Sequence, residues 1–345
     1  MTNYTIGPGG DYATLSAFVL AFNEAANALT DDITATIIAD FTDAIAYPTF
    51  AFNLGGDGFW MAGHTLTINN PGGYWITTQD TTQRRIAQAY PSGTLILDGL
   101  NFVSENFANF TYLLQTGCGV KNAGGGTGTT HVRNCKFRTT DDRVSGLITR
   151  PYVYPIIFGT HTLYVDSCLV FRTLDHDVGS CPYGIYPQLQ TNQHVFIRNC
   201  TVDGGPSSRI SSGIYIAHTS ADYHIYNTVV CRTSGSDFNQ VGAHLFTTLN
   251  CASEDATTDD IGGSGHLKNI VPATEFESLV YTDSNYMYPE EAQSIRSGGQ
   301  ALAPTTDLKG DPIPDQSNAY PIGCYAFPPI YAVDFTGSVT KEGQW

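Results

Sequence analysis

Residues 195–202, Val-Phe-Ile-Arg-Asn-Cys-Thr-Val, narrow the possible folds more than any other stretch. Val195 and Ile197 alternate with Phe196 and Arg198, the period-two pattern of a strand with one buried face. Asn199 interrupts the alternation, and asparagine suits a sharp corner because it tolerates unusual backbone angles. Cys200 and Val202 then resume it. The phrase recurs in Leu163, Val165, Ser167, Cys168 and Val170, and in Val132, Asn134, Cys135 and Phe137. Leu95, Leu97, Gly99, Leu100 and Phe102 form an earlier copy; Ile225, Asn227, Thr228 and Val230 form a later one. A weaker copy surrounds Asn250 and Cys251. The corner falls at positions 99, 134, 167, 199, 227 and 250, a spacing within the range of solenoid repeats.

A second series runs out of phase: Gly146-Leu147-Ile148, Gly184-Ile185-Tyr186, Gly213-Ile214-Tyr215 and Gly242-Ala243-His244. No amphipathic helix separates the copies, which argues against leucine-rich and βαβ repeats. The expectation is an all-β chain folded as a single-stranded parallel β-helix, each coil hydrogen-bonded to the next. Leu15, Phe18, Val19, Phe22 and Ala26 fall on one helical face, with Thr14 or Asp11 as the cap. An open β-helix exposes an apolar end coil, so this helix is assigned as its N-terminal cap. The domain reading is a strand and capping helix over 1–30, the β-helix over 31–327 and a C-terminal arm over 328–345. Within it, the most regular coils span 95–251 and a closing segment spans 307–327.

Cys135, Cys168 and Cys200 share one phase of the repeat, so the cysteines read as reduced, inward-packed side chains. Thirty-two acids against sixteen bases give a net charge of −16, which disfavours nucleic acid and anionic membranes. No secretory signal or membrane-spanning run is visible, and Leu15–Phe22 is far too short to cross a bilayer.

Residues 307–327 read Asp-Leu-Lys-Gly-Asp-Pro-Ile-Pro, a spacer, then Pro-Ile-Gly-Cys-Tyr-Ala-Phe. This resembles the closing motif of right-handed parallel β-helix proteins of the pectate-lyase-like superfamily, with departures at Cys324 and Ala326. The opening Tyr4-Thr-Ile-Gly-Pro-Gly-Gly-Asp-Tyr-Ala-Thr-Leu15 is similar to the start of pectin-esterase-like and pectate-lyase-like chains and of many bacteriophage particle proteins. The resemblance implies a right-handed helix. Together with the missing signal, it points to the virus-particle branch.

Chemistry is sparse. Tyr186 and Tyr215 should point outward at equivalent positions one coil apart, with His244 on the next coil and His218 nearby. Such a stripe could stack on sugar rings; the plainer alternative is that the rings stack on one another. Asp175-His176-Asp177 could bind a divalent metal such as Ca²⁺ or supply acid–base groups, or could be a solvated loop. No other cofactor is called for. The polygalacturonase-like set fails, because Gly265-His266-Leu267 lacks the last glycine and Arg209-Ile210-Ser211 comes before it. The leading expectation is a structural virion protein: a capsid decoration, spike or tail-associated component, assembled in the host cytoplasm. It would be a homo-oligomer among other virion proteins, contacting surface glycans. The alternative is a polysaccharide lyase or glycoside hydrolase on the same fold.

Overall fold

The computed structural model describes residues 1–22, 29–43, 63–79, 85–88, 93–105, 111–118, 128–139, 144–149, 161–173, 181–187, 193–206, 210–216, 222–241, 245–259, 261–290, 295, 298–299, 306–309, 321–325, 331–333 and 339–341. Three parallel sheets run the length of the molecule, and the chain visits them in turn. Sheet A has nine strands, from Thr2–Ile6 through Gly128–Arg133, His161–Asp166, Gln193–Arg198 and Asp222–Tyr226 to Leu245–Leu249. Sheet B has eight, from Phe41–Asp43 through Leu169–Arg172, Thr201–Asp203 and Val229–Cys231 to Ala252–Ser253. Sheet C has six, from Arg85–Gln88 through Val144–Thr149, Cys181–Pro187 and Ile210–Ile216 to Phe238–Gln240. This is a parallel β-helix.

The A-to-B corner lies where the repeat places it. Gly99, Asn134, Ser167, Asn199, Asn227 and Asn250 all have positive φ, between 48° and 70°. An L-residue pays for this conformation, and glycine and asparagine pay least. Each corner N–H donates to the carbonyl just before the next corner. Asn134 N–H reaches Asp166 O at 3.0 Å, Asn199 reaches Tyr226 O at 3.0 Å and Asn227 reaches Leu249 O at 3.0 Å.

Inward columns form the core. In sheet B one column runs Ile76, Phe102, Phe137, Val170, Val202 and Val230. Phe102 and Phe137 stack at 5.8 Å with planes 7° apart. Cys135, Cys168, Cys200 and Cys251 follow their corners as a fully buried ladder of free thiols. Each Sγ donates to a carbonyl of the preceding coil, as Cys200 does to Val165 O at 3.4 Å. Burial pushes the Cys251 thiol up to about 12 and Cys168 well above its ordinary value. Gly184 and Gly213 of the second series have a steric cause. A Cβ on Gly184 would lie 2.4 Å from Val202 Cγ1, and one on Gly213 would lie 2.0 Å from Val230 Cγ1.

The N-terminal helix spans Leu15–Ala21, and Thr14 caps it by accepting the Ala17 N–H at 3.1 Å. Asp11 instead closes the preceding turn on Thr5. Phe18 and Phe22 pack against Tyr4 and Tyr12 of the first coil, with centroids 5.3–6.3 Å apart. Ser16 ties the helix to sheet B through Asp43 Oδ2, by its N–H at 3.1 Å and its hydroxyl at 2.8 Å.

The coils become less regular at the far end. Sheet C continues with Phe238–Gln240, where Ile214 pairs with Phe238; Gly242-Ala243-His244 lie outside the described residues. The tight turn after Cys231 delivers the chain to sheet C several residues early. Leu267 makes only an isolated bridge to Ala252, and Ser278 one to Tyr286; neither belongs to a strand. After residue 267 the chain turns back along the outside of sheet B. Leu169, Phe171, Val229, Cys231 and Ala252 face outward yet are buried, because Ile270, Phe276, Tyr286, Met287, Tyr288, Ile322 and Cys324 cover them. Hydrogen bonds fasten this roof along the corner: Ser167 Oγ donates to Thr306 O at 2.8 Å, Gly323 N–H to Asn227 O at 2.7 Å and Cys324 N–H to Thr201 Oγ1 at 3.0 Å. Beneath the roof, fully buried Asp203 accepts from Arg232 Nε at 2.5 Å, from Arg232 Nη2 and from the Tyr286 hydroxyl. No helix among the described residues is long and apolar enough to cross a membrane.

Asn199→Ala should destabilise the fold by about 1–2 kcal/mol through its left-handed backbone, while Asn199→Gly should cost less; denaturant midpoints read the difference. Asp203→Ala leaves the Arg232 guanidinium without its buried partner and should cost about 3–5 kcal/mol on the same measurement.

Candidate functional site

The outer face of sheet A carries the most chemistry, because register aligns its outward residues into three columns. The alternation that sends Val195 and Ile197 inward sends His194, Phe196 and Arg198 outward. The charge column reads Asp98, Arg133, Asp166, Arg198 and then Tyr226. Arg133 meets Asp98 at 2.8 Å. Arg198 grips Asp166 with both Nε, at 2.6 Å, and Nη2, at 2.7 Å. Burial raises the Asp166 carboxyl even so.

The middle column reads His131, Tyr164, Phe196 and His224. These rings stack with centroids 4.7, 4.9 and 4.4 Å apart and planes within 16° of parallel. A stacked ring has spent its faces on its neighbours. Tyr164 and Phe196 therefore present edges to solvent, and sugar stacking requires faces. Burial lowers the His131 imidazole.

The third column ends in Thr162, His194 and Asp222. Asp222 Oδ2 lies 3.2 Å from His194 Nδ1 and 3.0 Å from His224 Nε2, so one carboxylate oxygen joins two imidazoles on adjacent coils. The Tyr226 hydroxyl holds the other nitrogen of His224 at 2.9 Å. The group is partly exposed: side-chain exposure is 43% for His194, 37% for Asp222 and 18% for His224. It can bind a cation or relay a proton.

Tyr186 and Tyr215 do come together on sheet C, and Tyr183 joins them. Tyr183 stacks on Tyr215 at 4.4 Å with planes 20° apart, and Tyr186 meets Tyr215 edge-on at 5.1 Å. Tyr186 is buried at 9% exposure, so the expected stripe is a packed cluster. The next coil aligns Asn239 with Tyr215, not His244. His218, His244, Asp175, His176 and Asp177 lie outside the described residues.

Two other features are structural. A cleft of about 460 Å³ at the corner is lined by Asn70, Asn101, Asn134, Asp98, Lys136 and Lys309. Three of its amides are already engaged: Asn70 bonds Tyr74 and Gly99, Asn101 bonds Gly73 O at 2.7 Å and Asn134 bonds Asp98 Oδ1 at 3.0 Å. Burial pushes the Asp237 carboxyl up to about 7, yet it accepts from the Thr233 hydroxyl at 2.8 Å and the Glu254 N–H at 2.7 Å, anchoring a turn.

The His194–Asp222–His224 group and the ring column escaped the sequence reading. Their signal was present: the outward residue two before the pre-corner position reads His131, Tyr164, Phe196 and His224.

No protein-family model and no curated protein sequence matches this chain. Among solved structures, the crystal structure of pectate lyase Pel9A is similar at TM-score 0.41 and 11% identity, over 94% of this chain and 96% of that one. At that distance neither residue roles nor an activity carries across.

Proposed function

We propose that the chain is a structural β-helix of a virus particle, a spike, decoration or tail-associated component, with a polysaccharide contact on its surface. The observation that supports it is the use made of outward side chains. On sheet A the charges pair coil to coil and the rings stack coil to coil. On sheet B the chain covers its own apolar outer face. A glycoside hydrolase needs two carboxyl groups free to flank the scissile bond. Asp98 and Asp166 are instead matched by arginines. The opening segment's resemblance to particle proteins, which it shares with pectin-esterase-like and pectate-lyase-like chains, supports the virion assignment, and a net charge of −16 keeps such molecules apart in solution. At the C-terminal end, Tyr331–Val333 pairs antiparallel with Val339–Lys341 and, among the described residues, with no other strand. A small two-stranded sheet of this kind offers edges for a neighbouring subunit.

The second reading is a polysaccharide lyase or hydrolase. The partly exposed His194–Asp222–His224 group favours it, as the one acid–base cluster on sheet A that no arginine neutralises among the described contacts.

The polysaccharide contact expected at Tyr186 and Tyr215 would fall on Tyr215, with Tyr186 buried behind it, and would use the phenol hydroxyl and ring edge, since Tyr183 and Tyr215 occupy each other's faces. Tyr215→Phe keeps the stacking and deletes one hydroxyl; it should weaken retention on immobilised polysaccharide severalfold, and unchanged retention would rule the cluster out. Light scattering should find a defined oligomer for the full chain and dissociation for a chain ending at Phe327, with incubated polysaccharide left uncut. A monomer indifferent to truncation, releasing new sugar ends that Asp222→Asn abolishes, would replace the particle reading with the enzymatic one.

A further inference from the structure

We propose that His194, Asp222 and His224 form a binding site for a divalent first-row transition cation, of which Zn²⁺ is the representative probe. The cluster is the one that favours the second reading, but the proposal depends on neither reading, since metal binding by these side chains is measured without any sugar substrate.

Three observations carry it. The first is the donor set. His194 and Asp222 are register partners on adjacent strands, and His224 lies two residues beyond Asp222 on the same outward face. Two imidazole nitrogens and one carboxylate oxygen converge, all within 4.8 Å of one another. Two nitrogens in three donors select zinc, iron, nickel or copper over calcium, which takes six to eight oxygens.

The second is spacing. Tetrahedral coordination at roughly 2.0–2.1 Å sets donors about 3.3 Å apart. Asp222 Oδ2 stands 3.2 Å from His194 Nδ1 and 3.0 Å from His224 Nε2. The separation left to close is between the two imidazoles, and the more exposed His194 has the freedom to close it.

The third is support behind the ligands. His224 is clamped between the face of Phe196, at 4.4 Å with planes 6° apart, and the Tyr226 hydroxyl at 2.9 Å from Nδ1. A metal on Nε2 leaves the proton on Nδ1, where it is donated to the Tyr226 oxygen. This is the outer hydrogen bond that fixes tautomer and ring orientation in histidine metal sites. Three protein ligands leave a fourth position open to water or to an oxygen of a bound molecule. The backbone of two interlocked coils supplies all three ligands, so the site needs no loop to form.

The test uses the full chain stripped by chelator and titrated with Zn²⁺ in competition with a chromophoric indicator. A single high-affinity equivalent is expected, together with a rise in thermal midpoint. His194→Gln and Asp222→Asn should each weaken binding at least tenfold, roughly the loss known for disturbing such a shell, and abolish the thermal shift. Tyr226→Phe, which removes only the positioning hydroxyl, should weaken it by about tenfold. His64→Gln removes an imidazole beside Asp32 on another coil and should leave binding unchanged. His194 is the most exposed ligand, so its variant should fold normally, and Asp222→Asn provides the independent check. Absence of Zn²⁺ binding by the stripped chain would overturn the proposal. So would binding that survives both ligand substitutions.

Discussion

At the corner between sheets A and B, the N–H of each left-handed residue points along the stack to the carbonyl that ends the same strand one coil further on. The rungs run from Gly99 through Asn134, Ser167, Asn199 and Asn227 to Asn250 at 2.9–3.0 Å. Two residues later the ladder reverses direction. The N–H groups of Leu169, Thr201 and Val229 reach back to Cys135, Cys168 and Cys200 at 2.9–3.0 Å. The corner thus locks each coil to both neighbours. Because side chains alternate with period two, a slip of one residue would turn every inward valine and isoleucine outward. A corner that permits only glycine, asparagine or serine at one position per coil pins that register.

With register pinned, each outward position becomes a column, and each column solves its own problem. Like charges one coil apart would repel, so Asp98, Arg133, Asp166 and Arg198 alternate in sign. Aromatic rings at the same interval stack. Apolar outward residues on sheet B are hidden beneath Ile270, Phe276, Tyr286, Met287, Tyr288, Ile322 and Cys324. The buried Asp203 shows how roof and coil are joined, since its carboxylate takes donors from Arg232 on the next coil and from Tyr286 in the roof.

The chemical group at the end of the third column arises where these regular patterns stop. Upstream the column is threonine, and at His194 and Asp222 it becomes ionisable just as the ring column ends in His224. Three side chains from two separate columns meet because the sheet places adjacent strands about 4.8 Å apart. Sequence distance conceals this: His194 and Asp222 are separated by a whole coil. The tyrosine pair was legible because both members follow a glycine in the same short phrase. That the rings pack on one another was one of the two readings left open; that Tyr183 completes the cluster was not legible, since strand parity gives the direction of a side chain and says nothing of what lies beside it.

The primary structure carried the repeat, the corner positions, the inward cysteine and valine columns and the capping helix. All of these follow from local rules: the period of a strand, the φ preference of asparagine, the face of a helix. It also carried a clue to the roof in the unbroken apolar runs Leu169-Val170-Phe171 and Val229-Val230-Cys231, where an uncovered face would alternate. The covering of sheet B by Phe276, Tyr286, Tyr288, Ile322 and Cys324, the pairing of Phe238–Gln240 in sheet C and the meeting of His194 with Asp222 and His224 emerged only in three dimensions. They depend on loop lengths and coil-to-coil register, and those quantities belong to the whole stack.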